Sequence, residues 1–318
     1  MAWYSKDGEL IELNKNETFM SCILNCLNTT AYKTTSYKYG LLKAILDNLY
    51  NCDNYRLSFD ELLVTFAKIY WNIIVKYDLP QKQMSTQGNL SSMEIIINEI
   101  KNEFVFVEKV DFDSLKEEIQ KRYINKSRRV IVKDVIGALY SDLNGKIYGF
   151  TKHDKYIYFS EDSYNFLSEN KLVIEKLNYY SWIIWTEKLL EKHEKGINNV
   201  AIKLDLSTKR NSLLEFKKRI FAESTDYKCF YCNSKITVNR CHIDHFIPWS
   251  FVKDDKIWNL VPTCRDCNLS KKDKIPSNKY LNKLILRNLS LIGNSYEDNL
   301  KKLYDAALYN GFILWEEE

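Results

Sequence analysis

The chain has 318 residues, which is long enough to bury a core and favours about two domains. Hydrophobic residues make up 45% and charged residues 28%, a balance typical of a globular protein, and the lack of any run of about 18 uncharged apolar residues argues against a transmembrane helix. Since the start, MAWYSKDGELIELNKNE, lacks the basic-then-apolar order of a signal peptide, we expect a cytoplasmic protein with no membrane partner.

The formal net charge of +4 is small, but the charge is unevenly distributed along the chain. Residues 201–280 hold 16 Lys and Arg against 9 Asp and Glu. An excess of positive charge is what phosphate binding requires, although a solvated basic face gives the same count. The composition therefore favours, without requiring, a nucleic-acid partner for this part of the chain.

Hydrophobic periodicity predicts a mainly helical N-terminal part. Ser58 with Glu61, and Ser91 with Glu94, stand three residues apart in the spacing of a capping box, which marks two helix starts. Tyr and Trp are abundant here, and at helical spacing they are predicted to lie in the core rather than to stack on bases. Helices are predicted over 36–50, 58–80, 93–104 and about 113–123.

The sequence period changes at 146–160, where KIYGFTKHDKYIYFS alternates aromatic and polar residues around a KHDK turn. This alternation predicts a β-hairpin. A long aromatic helical stretch follows, and the polar segment near 196–210 is predicted to join two domains. Residues 1–200 hold no spacing that chemistry would demand, so we interpret them as a recognition or regulatory domain.

Two C-x-x-C pairs, Cys229 with Cys232 and Cys264 with Cys267, supply four thiolates. Four is the ligand number of a closed tetrahedral zinc site, and a module of about 50 residues needs such a staple because it buries little apolar surface. The 31 residues between the pairs exceed the gap of an ordinary zinc ribbon, so a substantial insert is held between the two knuckles. Cys241 lies within the insert and is predicted not to be a ligand.

The insert contains RCHIDHFIPWS, which is predicted to form a strand. Side chains alternate along a strand, so His242 and Asp244 should point to one face and His245 to the other, unless the turn near Pro248 twists the chain. After the second knuckle, NLSKKDK is predicted to begin a short helix. That helix carries Asn268, Lys271 and Lys272.

Three stretches together resemble the HNH endonuclease motif: Asp244-His245-Phe-Ile-Pro, Asn259-Leu-Val-Pro, and Cys-Arg-Asp-Cys-Asn268-Leu-Ser-Lys271. The resemblance is to the four-cysteine, zinc-bound form of the ββα-metal fold. The run HIDHFIPWSFVKDDKIWNLVPTCRDCNLSKKDKIPS is also similar in register to the HNH domain of RNA-guided CRISPR effectors. The similarity covers roughly residues 225–280.

The resemblance implies a role for each central residue of the motif. His245 corresponds to the general base that takes a proton from the attacking water, a task that suits a neutral imidazole near pH 7. Asp244 and Asn268 correspond to the protein ligands of one catalytic divalent ion, and their oxygen atoms suit Mg²⁺ or Mn²⁺. Such an ion polarises the phosphate and stabilises the leaving 3′ oxygen.

Four further residues receive roles from the same resemblance. Asn259 corresponds to the middle asparagine, which braces the loop and holds the histidine in orientation. Lys271 and Lys272 would contact phosphate groups near the metal. His242 stands where members of the family vary, and we interpret it as a substrate contact or a surface residue, with a minor metal contact as the third alternative.

These patterns together predict an α+β protein. Residues 1–200 are expected to form a mainly helical domain with a small β-hairpin. Residues 201–318 are expected to form a zinc-stabilised HNH domain of ββα-metal type, with its core at 225–280 and helices at its C-terminal end.

The family implies a nuclease that hydrolyses DNA and leaves 5′ phosphate and 3′ hydroxyl ends, and analogy alone suggests restriction or anti-phage defence. Two alternatives stay open. One is a zinc-dependent DNA-binding or regulatory protein that has lost cutting, and the other is a nuclease that a ligand or protein partner activates. Because a single HNH site cuts one strand per event, double-strand breaks would favour a homodimer or sequential nicks.

Overall fold

The predicted α+β class is confirmed by the structure, a computed structural model of the chain. It describes residues 5–15, 17–28, 34–82, 90–105, 109–192, 199–206, 212–223 and 227–316. The chain divides into two units, Met1–Lys209 (unit 1) and Arg210–Glu318 (unit 2). Among the residues that the structure describes, no helix combines the length and the apolar character that crossing a bilayer requires.

Unit 1 is built mainly of helices, and two of them begin at the predicted capping boxes. The hydroxyl oxygen of Ser58 accepts from the backbone N–H of Glu61, and Ser91 does the same for Glu94, so both predictions are confirmed. The helices are α1 (Phe19–Cys26), α2 (Tyr37–Asn48), α3 (Phe59–Trp71), α4 (Ser92–Glu103), α5 (Glu117–Val130), α6 (Ile136–Asp142), α7 (Glu161–Glu169), α8 (Lys171–Lys192) and α9 (Val200–Leu206).

One helix boundary differs from the sequence prediction, and one predicted segment is only partly described. The helix expected at about 113–123 begins later, at Glu117, because the Phe112–Ser114 segment forms a separate 3₁₀ turn. The segment expected to join two domains at 196–210 includes α9, while 196–198 and 207–210 lie outside the described residues.

A four-stranded antiparallel sheet completes unit 1, in the order β1 (Asp7–Gly8), β3 (Gly149–Thr151), β4 (Tyr156–Tyr158), β2 (Arg56–Ser58). The predicted hairpin is confirmed, since β3 and β4 pair around the KHDK turn with Gly149 opposite Tyr158. Strands β1 and β2 pair with its two edges from distant parts of the chain. Aromatic side chains lie in the core as expected, and the largest fully buried ones include Trp71 and Trp182.

A buried ion cluster joins α2 to α8 inside unit 1. The Nζ of Lys43 lies 3.0 Å from the Asp47 carboxylate and 3.2 Å from Oε1 of Glu175, and all three side chains are buried. Burial alone would lower the pKa of Lys43, but the two carboxylates outweigh it and raise that pKa well above its usual range. The three charged side chains are therefore paired with one another while they are buried from water.

Replacing Lys43 by Met, which keeps most of the volume and removes the charge, should destabilise unit 1 by about 3 to 5 kcal/mol, because Asp47 would be left buried without its cation and Glu175 would keep only the more distant Lys171, 4.0 Å away. Urea unfolding followed by circular dichroism measures the shift. The matched control is Lys121→Met, which breaks the exposed ion pair with Glu117 and should leave the midpoint unchanged. Equal midpoints for both variants would show that the cluster contributes no stability.

Unit 2 contains an antiparallel hairpin followed directly by a helix. Strand β5 pairs with β6 so that Asp244 lies opposite Val261 and His245 opposite Leu260. The described elements of unit 2 are α10 (Leu214–Glu223), β5 (His242–His245), α11 (Trp249–Val252), β6 (Leu260–Thr263), α12 (Arg265–Lys271), β7 (Ile275–Pro276), α13 (Asn278–Ile292), α14 (Glu297–Tyr309) and β8 (Leu314–Trp315).

The end of the chain packs back onto the start of this hairpin module. Strand β8 pairs in parallel with β7, and this places the indole of Trp315 against Tyr231, with ring centroids 4.9 Å apart. Tyr280 of α13 contacts both rings. The C-terminal helices thus supply apolar surface that the hairpin and its helix lack by themselves.

Candidate active site

The four cysteines of the C-x-x-C pairs converge on one point in unit 2. The sulfur atoms of Cys229, Cys232, Cys264 and Cys267 all lie within 4.8 Å of one another, and the Cys232 and Cys264 sulfurs are 3.8 Å apart. Sulfurs bound to one tetrahedral zinc ion, at about 2.3 Å each, are about 3.8 Å apart. The set therefore has the number, type and spacing of ligands that a structural zinc site needs.

Local backbone structure explains how each knuckle forms. In the first, the N–H of Cys229 donates to the Ser234 carbonyl, and Asn233 adopts a left-handed conformation with φ of 58° that turns the chain back. Burial opposes ionisation of Cys232, but hydrogen bonds from Ser234 outweigh it and lower the pKa of that thiol to about 7. In the second knuckle, Cys264 is the N-cap of α12.

Cys241 is not part of this cluster, as predicted. It is buried at the start of the hairpin, where its thiol donates to the His242 carbonyl, 3.2 Å away. Its own carbonyl accepts from Nζ of Lys217 on α10. The position of Cys241 outside both C-x-x-C pairs is thus consistent with its separation from the four clustered sulfur atoms.

Strand β5 carries His242, Asp244 and His245 of the predicted site. Asp244 is 9% exposed and His245 is 2% exposed, so both are buried, whereas His242 is exposed. Phe246 follows the last residue of β5, and its N–H donates to the Asn259 carbonyl. Asp244 and His245 are thus adjacent buried residues at the end of the hairpin.

Two side chains hold the Asp244 carboxylate, and each comes from a different knuckle. Its Oδ2 accepts from the hydroxyl of Tyr231 at 2.9 Å and lies 3.0 Å from Nζ of Lys271. Burial, together with the neighbouring Asp244 charge, raises the pKa of Tyr231 well above its usual range, so the hydroxyl keeps its proton and donates. Tyr231 lies between Cys229 and Cys232, and Lys271 ends the helix that begins at the second knuckle.

His245 is held by a residue that the sequence patterns did not single out. Its Nε2 lies 2.7 Å from Oδ1 of Asp255, which belongs to the loop between α11 and β6. The nearest signal in the sequence is the Asp-Asp pair at 254 and 255, ten residues after the histidine. A loop position without periodicity gives no indication of which of the two carboxylates turns inward.

Asn259 ties the chain that follows His245 to the start of β6. Its side-chain Oδ1 accepts from the N–H of Ile247 at 2.8 Å, and its Nδ2 donates to the carbonyl of the same residue at 2.9 Å. The side chain is buried, and these bonds satisfy both ends of the amide. The amide therefore closes the 247–259 loop.

The hairpin, the helix and the thiolate cluster occur in one segment that also matches a known family. Residues 229–277 match the HNH endonuclease family. The match contains both knuckles, β5, β6, α12 and every predicted site residue. No solved structure matches the chain. We refer to residues 229–277 as the HNH module.

Helix α12 of the HNH module carries the remaining predicted residues, and the structure separates them. Asn268 is partly exposed and lies three residues before Lys271, on the helix face that meets β5. Lys271 was expected to contact phosphate, but its side chain is fully buried, and its Nζ donates to the His245 carbonyl as well as pairing with Asp244. As placed here, it supports the hairpin. Lys272 is exposed, as a phosphate contact must be.

Replacing Cys229 by Ser should remove zinc from the HNH module and melt unit 2, because metal binding to such thiolate sites supplies roughly 10 to 16 kcal/mol of folding free energy. The zinc content of the purified protein and its thermal melting curve measure both effects. The control is Cys241→Ser, since this cysteine is also buried in the same module but lies outside the cluster. It should keep about one zinc per chain, and a loss of zinc in both variants would contradict the assignment.

Proposed function

We propose that this protein is a metal-dependent endonuclease that hydrolyses phosphodiester bonds in DNA, leaving 5′ phosphate and 3′ hydroxyl ends. The observation that carries the proposal is the position of Asp244 and His245. They are adjacent, buried and individually held at the end of β5, within a segment that matches the HNH endonuclease family. A hard carboxylate beside a positioned imidazole is what metal-assisted hydrolysis needs.

The residues around Asp244 fit a divalent cation. Oδ2 of the carboxylate already has two donors, whereas no described residue donates to Oδ1. The side-chain amide of Asn268 also makes no hydrogen bond with a described residue, and Asn268 lies on the helix face directed at β5. We propose that these two oxygens hold Mg²⁺ or Mn²⁺. When bound there, the ion would polarise the scissile phosphate and stabilise the leaving 3′ oxygen.

His245 supplies the proton acceptor in this scheme. A neutral imidazole takes a proton from the water that attacks phosphorus, and positioned bases of this kind accelerate reactions by roughly 10² to 10⁴-fold. Asn259 contributes by fixing the chain after the histidine through its two bonds to Ile247. Burial protects the imidazole from competing contacts, so that its orientation is set before substrate arrives.

DNA binding is proposed to use the exposed positive charge of this region. Lys272 lies at the end of α12 and His242 at the start of β5, and both are exposed. Residues 201–280 hold the excess of Lys and Arg over acidic residues noted above. Contacts of this type are sequence-independent and weaken with salt.

Recognition or regulation is proposed as the role of residues 1–200. The group of potential metal ligands found among the described residues lies in the HNH module. Residues 1–200 are therefore proposed to recognise the DNA target or to respond to a signal. By analogy, a large N-terminal part beside an HNH module fits a role in restriction or anti-phage defence. Such a role would place the protein in the cytoplasm. Double-strand cleavage would require a homodimer or two successive nicks.

Replacing His245 by Ala should reduce cleavage of supercoiled plasmid by at least about 100-fold, because the base is lost while the zinc ligands stay in place. Gel analysis of nicked and linear products, with Mg²⁺ or Mn²⁺ and with EDTA, measures the rate. The control is His153→Ala, which removes an exposed histidine from the β3–β4 turn of unit 1 and should cut at the rate of the unaltered protein. Cleavage by the His245 variant at that rate would exclude the proposed base.

Replacing Tyr231 by Phe should raise the Mg²⁺ concentration needed for half-maximal cleavage several-fold, because one hydrogen bond that orients Asp244 is lost while the ring packing is kept. A titration of rate against Mg²⁺ measures the change. The control is Tyr304→Phe, which removes a hydroxyl bond to the Pro276 carbonyl in the same unit without touching Asp244. The same Mg²⁺ requirement in both variants would show that Tyr231 does not act through Asp244.

A further inference from the structure

We infer that Asp255 is a positioning residue for His245 and fixes its neutral imidazole in the Nε2–H tautomer, so that Nδ1 is the atom that accepts the proton of the attacking water. This inference rests on the proposed function for its catalytic meaning. Its structural content, the tautomer of one histidine, is independent of whether the protein cuts DNA.

The hydrogen bond between His245 and Asp255 has a defined direction. Nε2 of His245 lies 2.7 Å from Oδ1 of Asp255, within a normal hydrogen-bond distance. A carboxylate accepts hydrogen bonds and does not donate them, so the proton between these atoms belongs to Nε2. A neutral imidazole carries one proton, and its lone pair is then on Nδ1.

The other ring nitrogen of His245, Nδ1, has different surroundings. The described residues provide Nε2 with its partner but make no hydrogen bond to Nδ1. The ring is almost fully buried, with its own backbone carbonyl tied to Nζ of Lys271. The imidazole is thus anchored on its Nε2 side and on its backbone, and Nδ1 is the ring nitrogen that has no hydrogen-bond partner among the described residues.

The loop between α11 and β6 positions Asp255 through its own backbone bonds. The loop leaves α11 at Lys253, which adopts a left-handed conformation with φ of 56°, and it is closed by the amide of Asn259 on Ile247. Within it, the N–H of Asp255 donates to Oδ1 of Asp254 at 2.8 Å. These bonds direct Asp255 inward and leave Asp254 as the turn residue on the outside.

The pair of neighbouring aspartates provides a matched control. Asp254 holds the turn and contacts Lys256, but it makes no bond to His245. Asp254→Asn keeps the side-chain oxygen that accepts from the Asp255 N–H, so the loop is preserved. Asp255→Asn instead offers the ring an amide whose NH₂ can donate to Nε2, and this favours the tautomer in which Nδ1 carries the proton.

The test uses the full chain labelled with ¹⁵N at histidine, of which there are four in the sequence. Imidazole nitrogen shifts at pH values where the rings are neutral identify the protonated nitrogen, and a His245→Gln sample assigns the signal. The unaltered protein should show a protonated Nε2 and an unprotonated Nδ1 at His245. A protonated Nδ1 in the neutral ring, or an even mixture of tautomers, would overturn the inference.

The same proteins are then assayed on plasmid DNA. Asp255→Asn should lower kcat by at least about 100-fold with KM for DNA changed by no more than about threefold, whereas Asp254→Asn should stay within about twofold of the unaltered protein. Asp255→Glu keeps a carboxylate acceptor and should recover part of the lost rate, which also covers the case in which the Asn variant fails to fold. Equal kcat for the Asn variant and the unaltered protein would overturn the positioning role.

The two proposals fail in different ways. If the unaltered protein cuts no DNA under any metal condition, the endonuclease proposal fails, and the tautomer measured at His245 still decides what Asp255 does. If the protein cuts DNA and the Asn variant cuts equally well, the endonuclease stands and the role of Asp255 is lost.

Discussion

Convergence of four sulfur atoms is the constraint on which the rest of the HNH module depends. The cysteines lie far apart in sequence, yet their sulfurs are within 4.8 Å of one another, so the two ends of the intervening chain are brought to one place. Each knuckle then delivers one side chain, Tyr231 or Lys271, to the carboxylate of Asp244. The four-cysteine cluster and the proposed catalytic site are thus built from the same short stretches of chain.

Burial of polar groups in so small a module is costly unless each is satisfied. Asp244 has two donors, His245 has a carboxylate partner, Asn259 makes two amide bonds, and Lys271 contacts both a carboxylate and a carbonyl. Since each of these contacts restrains a side chain, the network reduces the number of orientations that Asp244 and His245 can adopt. The bonds that satisfy these buried groups would therefore also preorganise the proposed catalytic site.

Local sequence signals predicted much of this molecule, and long-range contacts account for the rest. Capping boxes at Ser58 and Ser91, the aromatic hairpin and the C-x-x-C pairs each act over a few residues, so one sequence suffices to recognise them. The pairing of β1 and β2 with the hairpin and the burial of Lys271 depend on segments distant in sequence. The inward turn of Asp255 depends on the conformation of an irregular loop. No sequence periodicity indicates such contacts. The position of Lys271 near the motif therefore predicts a phosphate contact, whereas its side chain is buried.

The ion pair between Lys271 and Asp244 affects how the proposed site would bind a cation and a phosphate. The lysine neutralises the Asp244 carboxylate, which leaves less negative charge at the end of β5 to repel a DNA backbone. The same pairing weakens the attraction of the site for a free cation. A divalent ion gains its full set of oxygen ligands only when a phosphate contributes some of them, as is usual for Mg²⁺. Cation loading and substrate binding would then be thermodynamically coupled, and each would strengthen the other by the same factor.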